Sequence, residues 1–320
     1  MYQLVEKRYW FLLVSAVVIV AGLLAIPVPP GLRLGIDFTS GSTLDIAFSS
    51  DVSQSDLRQQ MTTLGFSEAI IQATGEQGYF IRTRTLEEET KDESGKVLKP
   101  SEKETIKKAL TERFGAIKHS EFASVSPQVS QETVRNAVIA VIAAAVGITL
   151  YVAYAFRMVP NPFRWSVCAL VALIHDLLAT LAIFSLAAKF INIEIDAMFI
   201  TALLAILGYS INDTVVVFDR VRENILRDPN VDLETIVNIS ILETLPRSMN
   251  TSLTTLFAIG APLLLGGVTT RAFLLALFAG IAAGTYSSIA IAAQLLVIWE
   301  KKDWRNWSQR QPKPSAAPTA

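Results

Sequence analysis

The chain is poor in cysteine, histidine and charged side chains. Its 320 residues include one cysteine and two histidines, and charged residues make up 18%. A lone cysteine excludes an internal disulfide, and Cys168 stands in an apolar run, which is typical of a small buried hydrophobe. The net charge of −1 gives no sign of a nucleic-acid partner. A charged fraction below the roughly 25% of soluble domains argues against an ordinary soluble protein.

Apolar sequence takes the place of the missing charge, and it is concentrated in six runs. Hydrophobic residues account for 51% of the chain. A bilayer core of roughly 30 Å is crossed by about 20 helical residues, and each run is long enough to do so. The first run follows Lys7 and Arg8 and exceeds the usual signal-peptide core, so we interpret it as an uncleaved anchor. The runs lie near residues 10–29, 135–156, 165–188, 197–218, 247–266 and 272–299.

Lysine and arginine are distributed unevenly between the short loops. One side of the membrane carries most of them, whereas the short loops of the other side carry only Lys189 and Arg271. Because cytoplasmic loops are enriched in these residues, both termini are predicted to be cytoplasmic. The cytoplasmic connection 219–246 is predicted to form an amphipathic helix along the membrane surface. The predicted parts are residues 1–29 (cytoplasmic N-terminus and first span), 30–132 (extracytoplasmic domain), 133–300 (second to sixth spans) and 301–320 (a disordered cytoplasmic tail).

Residues 30–132 are predicted to form a small α/β domain. Ser101, with Glu104 three residues later, favours a capped start of its second helix, and the charged segment 85–104 is predicted to be a solvated loop. The order β-α-β-β-α-β predicts a ferredoxin-like domain, inserted between the first and second helices of a six-span α-helical membrane protein. The predicted elements are strand 41–48, helix 52–64, strands 68–73 and 78–84, helix 101–114 and strand 119–126.

Ionisable residues are rare inside the six runs. Asp213 lies in the fourth run, Arg247 begins the fifth, and His175 and Asp176 lie in the third. A charge at mid-membrane costs about 3 kcal/mol or more, so such residues usually face the bundle interior, find a partner and mark a pathway. Counting 1.5 Å per residue places Asp213 about 24 Å and Arg247 about 28 Å from the outer ends of their helices. At these similar depths, an ion pair between them is geometrically possible.

Two interpretations of this pair stay open. In the structural one, the pair only fixes helix register; in the functional one, Asp213 takes up and releases a proton, and its changing charge repositions helices. Asp176, near the midplane, is a candidate for a second relay position, whereas His175 is interpreted as a packing residue. Neighbouring polar side chains are expected to support Asp213 by hydrogen bonds. These candidates are Asn212, Thr214, Thr251, Thr254 and Thr255.

Several stretches together are similar to one family. "GYSINDTVVVFDRVREN" (208–224) is very similar to the signature of the SecF family, the smaller subunit of the SecDF accessory complex of bacterial protein export. "ALIHDLLAT" (172–180) and "RSMNTSLTT" (247–255) fit the corresponding family segments. "GIDFTSGS" (35–42) resembles the GIDF-x-GG motif of that family, with Ser40 where a glycine is usual. The matching residues of that motif are Gly35, Ile36, Asp37, Phe38 and Gly41.

The resemblance implies a six-span half of the resistance-nodulation-division (RND) superfamily in the inner membrane of a bacterium. It implies SecD as the partner half, and work on preproteins at the SecYEG translocon driven by the proton-motive force. Protons would be the coupling ion, with Asp213 and Arg247 on the charged positions associated with coupling. Apart from membrane lipid, no further ligand is expected: no enzyme activity, cofactor, metal or nucleic acid. A proton-driven small-molecule or lipid transporter subunit and a non-transporting scaffold are the alternatives.

Overall fold

The structure, a computed structural model, describes residues 3–29, 32–74, 77–91, 97–159, 161–191 and 193–301. The predicted disordered tail therefore lies, apart from Lys301, outside the described residues. The α-helices of the described ranges are Arg8–Ala25 (α1), Ile36–Thr39 (α2), Gln54–Thr63 (α3), Glu102–Phe114 (α4), Pro127–Ala155 (α5), Pro162–Ala187 (α6), Ala197–Arg227 (α7), Leu233–Leu265 (α8), Val268–Ser287 (α9) and Ala293–Glu300 (α10). The strands are Arg33–Leu34 (β1), Gly41–Phe48 (β2), Ile70–Ala73 (β3), Gly78–Thr83 (β4), Thr90–Lys91 (β5), Val97–Lys99 (β6), Ile117–Val125 (β7) and Glu194–Ile195 (β8).

Two compact units make up the described chain. One contains the residues up to Leu32, then Ile139–Glu194, then those from Met198 onward. The other contains Arg33–Val138 together with Ile195–Ala197. The first unit holds most of the membrane-crossing part of the chain, and the second holds the α/β domain together with the first residues of α5.

The α/β unit is built on one four-stranded antiparallel sheet. Its strand order is β3-β4-β2-β7. With α3 between β2 and β3, and α4 between β4 and β7, this is the order of a ferredoxin-like fold, as predicted. The register pairs Ser42 with both Thr83 on β4 and Ser124 on β7, so β2 lies at the centre of the sheet.

The core of this unit explains why the two helices form where they do. Leu57 and Met61 on α3, and Ile106 and Leu110 on α4, are each four residues apart and therefore share one face of their helix. All four are fully buried and pack on the sheet. The sheet residues that meet them are Leu44, Ile46, Phe48, Ile71 and Ile81.

Two details of this unit differ from the sequence-based expectation. Ser101 does stand at the N-cap of α4, but its side chain makes no capping hydrogen bond. The Glu102 carboxylate instead accepts from the N–H of Glu87 at 2.9 Å and pairs with Arg84 at 2.9 Å. The predicted loop 85–104 contains the short antiparallel pair β5-β6, so it is not entirely loop.

The membrane unit confirms the six-span prediction. Six helices of the described ranges are long and apolar enough to cross a membrane. The sixth span combines α9, a π-helical turn over Ser288–Ala292, and α10. No separate surface helix occupies 219–246, so that prediction is wrong: α7 continues to Arg227 and α8 already begins at Leu233.

The physical reason is that the apolar residues of 219–246 are needed in the core of the bundle. Val221 on α7 and Ile236 and Ile241 on α8 are buried in one cluster with the aromatic residues Phe156 and Trp165. Those two aromatic rings stack with their centroids 5.4 Å apart. An amphipathic pattern is therefore satisfied by helix-on-helix packing rather than by the membrane surface.

Candidate functional site

Two carboxylates lie inside the membrane unit. Asp213 on α7 is 4% exposed, and Asp176 on α6 is fully buried. They are the only Asp or Glu side chains classed as buried among the described residues. Each accepts a hydrogen bond from at least one hydroxyl group of another helix, which offsets part of the desolvation of a buried carboxylate.

Asp213 is supported by a chain of hydroxyls from α8 and α9. The Oγ of Ser252 lies 3.5 Å from Asp213 Oδ2 and 2.5 Å from Thr285 Oγ1. Thr285 can in turn donate to the carbonyl of Ile281 at 2.9 Å. Tyr209 on α7 donates to Ser252 at 3.4 Å. Three helices therefore meet at this one carboxylate through Ser252.

Arg247 does not form the ion pair with Asp213 that the depths had allowed. Within the described chain, no contact of 4.0 Å or less between charged atoms joins the two, and Arg247 is exposed. Ser252 follows Arg247 by five residues, which turns it about 140° around the α8 axis. Arg247 and Asp213 therefore lie at a similar depth in the membrane, but Arg247 is on the side of α8 that faces away from Asp213.

The predicted supporting shell is also distributed differently. Asn212, Thr251 and Thr254 are exposed, and the two threonines donate to carbonyls of their own helix. Thr255 accepts from Tyr209 at 3.4 Å, so it belongs to the outer part of the shell. Thr214 is buried, and its hydroxyl shares a hydrogen bond of 2.9 Å with that of Ser288.

Asp176 has the denser set of partners. Ser210 on α7 and Ser287 on α9 both donate to its Oδ2, the latter at 2.8 Å. The Nδ1 of His175 lies 3.0 Å from Oδ1, although the two residues are adjacent on α6. His175 Nε2 then lies 2.9 Å from Ser15 Oγ on α1. His175 thus takes part in a polar cluster, which the interpretation as a packing residue had not included.

Small residues allow these helices to approach closely enough for such contacts. A Cβ atom on Gly284 would lie 2.9 Å from the Cβ of Ser210, which is closer than side chains pack. A Cβ on Gly22 of α1 would lie 2.2 Å from the Cβ of Ala182 on α6. Glycine at these two positions lets α9 meet α7, and α1 meet α6, almost backbone to backbone.

The GIDF segment occupies a separate place, in the α/β unit. The N–H of Gly35 donates to the carbonyl of Ile195 at 2.6 Å, and the Asp37 carboxylate accepts from the N–H of Ala197 at 2.8 Å. Ala197 is the first residue of α7. Ser40 and Gly41 follow with φ values of 59° and 128°. Two residues with positive φ therefore follow one another at the entry to β2, and the first of them is a serine. The side chain of Ile36 is buried and that of Phe38 half-buried, so this pair anchors the segment.

Four hydroxyl residues at these sites were missed by sequence reasoning. Ser252 and Thr285 support Asp213, and Ser210 and Ser287 support Asp176. Their signal in the sequence is weak, because single serines and threonines are common in membrane helices and bond their own backbone. No group of three or more His, Cys, Asp or Glu that could hold a metal ion occurs in the described ranges.

Six spans, an inserted ferredoxin-like domain and carboxylates buried among hydroxyls define a multi-pass membrane protein with ionisable sites inside its bundle. Residues 105–302 match the C-terminal family of the protein export membrane proteins SecD and SecF, and residues 30–52 match the SecD/SecF GG motif. The chain belongs to the SecF family of protein-export membrane proteins, as its motifs had indicated.

Relatives and solved structures agree with this assignment. The chain is 42% identical over its full length to the protein translocase subunit SecF of Thermobaculum terrenum, and covers all of that protein. It is 33% identical to the SecDF subunit of Bacillus subtilis over 93% of this chain and 38% of that one. The crystal structure of SecDF from Thermus thermophilus, a translocon-associated membrane protein, superposes with a TM-score of 0.75 at 31% identity. That comparison covers 94% of this chain and 39% of the longer one.

Proposed function

We propose that this chain is an accessory subunit of bacterial protein export that uses the proton-motive force through Asp213. It would reside in the inner membrane with both termini cytoplasmic and its α/β domain outside. It would work with a SecD partner half, the SecYEG translocon and the preproteins that cross it. The observation that carries the proposal is a carboxylate buried within a membrane-crossing helix, bonded by Ser252 of α8 and through it to Thr285 of α9, in a chain of the SecF family.

The hydroxyl chain supports a role in proton binding, because it can serve both protonation states of Asp213. A serine has one proton to donate. When Asp213 is ionised, Thr285 donates to Ser252 and Ser252 donates to the carboxylate. When Asp213 is protonated, the carboxyl donates to Ser252, which donates to Thr285, which donates to Ile281. Titration of Asp213 would therefore reverse the hydrogen bonds that join α7, α8 and α9.

The exposed polar face of α8 supports a partner half. Four polar residues on α8, Arg247, Asn250, Thr251 and Thr254, are exposed in this chain, within the membrane-crossing part of the helix. Charged and polar side chains in a membrane face a bundle interior or a water-filled cavity rather than lipid. The SecDF proteins are more than twice as long as this chain, and their remaining sequence would supply the covering half. In that assembly Arg247 would lie at the interface with the partner half.

The test is preprotein transport into vesicles carrying the full complex, measured with and without a proton gradient. We expect Asp213→Asn, which keeps size but cannot titrate, to lose the gradient-stimulated part of transport. Arg247→Lys keeps the charge without the planar fork and should give a partial defect. Thr149→Val is the matched control, since that hydroxyl donates only within α5. Normal stimulation in a correctly assembled Asp213→Asn complex would refute the relay and leave the scaffold alternative.

A further inference from the structure

The cluster around Asp176 and His175 has a geometry of its own, apart from Asp213. Its carboxylate receives hydrogen bonds at both oxygens: Ser210 and Ser287 donate to Oδ2, and His175 Nδ1 lies 3.0 Å from Oδ1. The side chain of Asp176 is fully buried, whereas that of His175 is 11% exposed. When Nδ1 carries a proton, three donors point at this carboxylate, which matches an ionised carboxylate because that form only accepts hydrogen bonds. The histidine is then the member of the pair that can accept a further proton.

The surroundings of His175 fit both of its protonation states. When Nε2 carries no proton, Ser15 can donate to it across the 2.9 Å between them. When Nε2 is protonated, it donates to Ser15, whose hydroxyl proton can turn toward Tyr286 Oη at 3.5 Å. Tyr286 already donates to the carbonyl of Phe11 at 2.8 Å, so its oxygen can accept. Neither state leaves a polar atom of this chain of groups unpaired.

The charges around His175 and Asp176 favour the binding of one proton by this pair of side chains. α1 presents Ser15, α7 presents Ser210, and α9 presents Ser287 and the phenol of Tyr286. In the part of the chain that the structure describes, no lysine, arginine or second carboxylate bonds to Asp176 or His175. The pair therefore carries a charge of −1 with a neutral imidazole and is neutral with a protonated one, and the neutral state is the less costly one in a membrane.

We propose that His175 and Asp176 form a second proton-binding site, in which the imidazole takes up the proton and the carboxylate balances its charge. This inference rests on the proposed function, which supplies the proton gradient. The site touches α1, through Ser15, whereas the Asp213 site touches α8, through Ser252. Proton uptake at His175 reverses the Ser15 hydrogen bond, so it acts on the helix whose chain leads into the α/β domain.

The chain offers a direct measurement, because it has only two histidines. His119→Gln in the α/β domain leaves His175 as the sole histidine signal in ¹⁵N NMR of the full chain in lipid nanodiscs. We expect this signal to pass from the singly to the doubly protonated form as the pH is lowered. Asp176→Asn should displace that titration by at least tenfold in proton concentration, because it removes the adjacent charge. A His175 that stays neutral throughout, or that titrates identically in Asp176→Asn, would overturn the proposal.

Transport provides the second measurement and separates the two ideas. Both His175→Gln and Asp176→Asn should lose at least half of the gradient-stimulated transport while Asp213 is intact. Ser166→Ala is the control, because that buried hydroxyl of the same helix donates to the backbone carbonyl of Pro162 at 3.2 Å, away from the pair. Full stimulation in both variants, with loss in Asp213→Asn, would reject the second site and keep the proposed function. Absent stimulation in the unsubstituted complex would reject the proposed function, and the NMR titration would still decide the His175 site.

Discussion

Ser40 is strained, and its replacement by glycine should stabilise the α/β domain. Its φ of 59° and ψ of 169° fall in a region that is almost exclusive to glycine. A residue held there costs of order 1–3 kcal/mol. The neighbouring Gly41 has to be a glycine as well, since a Cβ on it would lie 2.6 Å from the carbonyl oxygen of Thr83.

Two losses oppose the gain from Ser40→Gly. Glycine adds roughly 0.5–1 kcal/mol of chain entropy to the unfolded state. The exposed hydrogen bond from Ser40 Oγ to the carbonyl of Thr39, 2.6 Å long, is also lost, at about 0.5 kcal/mol. With the strain taken near 2 kcal/mol, the net stabilisation is roughly 0.5–1 kcal/mol. This corresponds to amide exchange slowed about two- to fivefold.

Hydrogen exchange followed by mass spectrometry on the full chain measures this effect. The informative peptides cover β2, β4 and β7, whose amides are paired across the sheet that begins at Gly41. Ser101→Gly is the matched control: Ser101 has an ordinary φ of −59° and makes no side-chain cap, so glycine should only destabilise there. Equal or faster exchange in Ser40→Gly would show that the backbone at this turn is not strained.

Two other consequences of the structure are open to direct test. Burial, with a smaller contribution from the negative charge of Glu121, raises the pKa of Asp45, so the folded domain holds this proton more tightly than the unfolded chain. The free energy of unfolding should therefore fall as pH rises from about 4 through the raised pKa, and Asp45→Asn should flatten this dependence in denaturant titrations; an unchanged slope would contradict it. Asp37→Ala removes the acceptor at the first N–H of α7 and should weaken that end by about 1 kcal/mol, seen as faster exchange in the first turn of α7. Asp37→Asn should retain much of the protection of these amides from exchange. Identical exchange in the unsubstituted chain and both variants would show that Asp37 does not stabilise the start of α7.

Run length and alternation were enough to predict the six spans and the ferredoxin-like strand order, because both follow from simple periodicity. The partner of Asp213 was not predictable in the same way. Rise per residue gives the depth of Arg247 and Ser252, but the side of α8 that faces α7 depends on how the helices pack. The same limit applies to Ser210 and Ser287, whose role depends on the close approach at Gly284.

The prediction for 219–246 failed for a related physical reason. Its apolar and charged residues alternate at helical spacing, which suits both a membrane surface and the rim of a bundle. Only the packed structure shows that Val221 and Ile236 are buried in the same cluster. Periodicity therefore predicts the helix, whereas tertiary packing decides what its apolar face contacts.

The π-helical turn over Ser288–Ala292 makes the sixth span, in effect, an α-helix with one inserted residue. A turn with i→i+5 hydrogen bonds takes up its extra residue by widening, so the α-helices on either side keep the same phase. Deleting a single residue there would restore regular α-helical winding and leave Leu296 and Val297 of α10 in the bundle core. We therefore expect relatives that lack one residue in this segment to keep the packing of α10. A one-residue alignment gap at these five positions would mark loss of the wide turn, with the rest of the span unchanged.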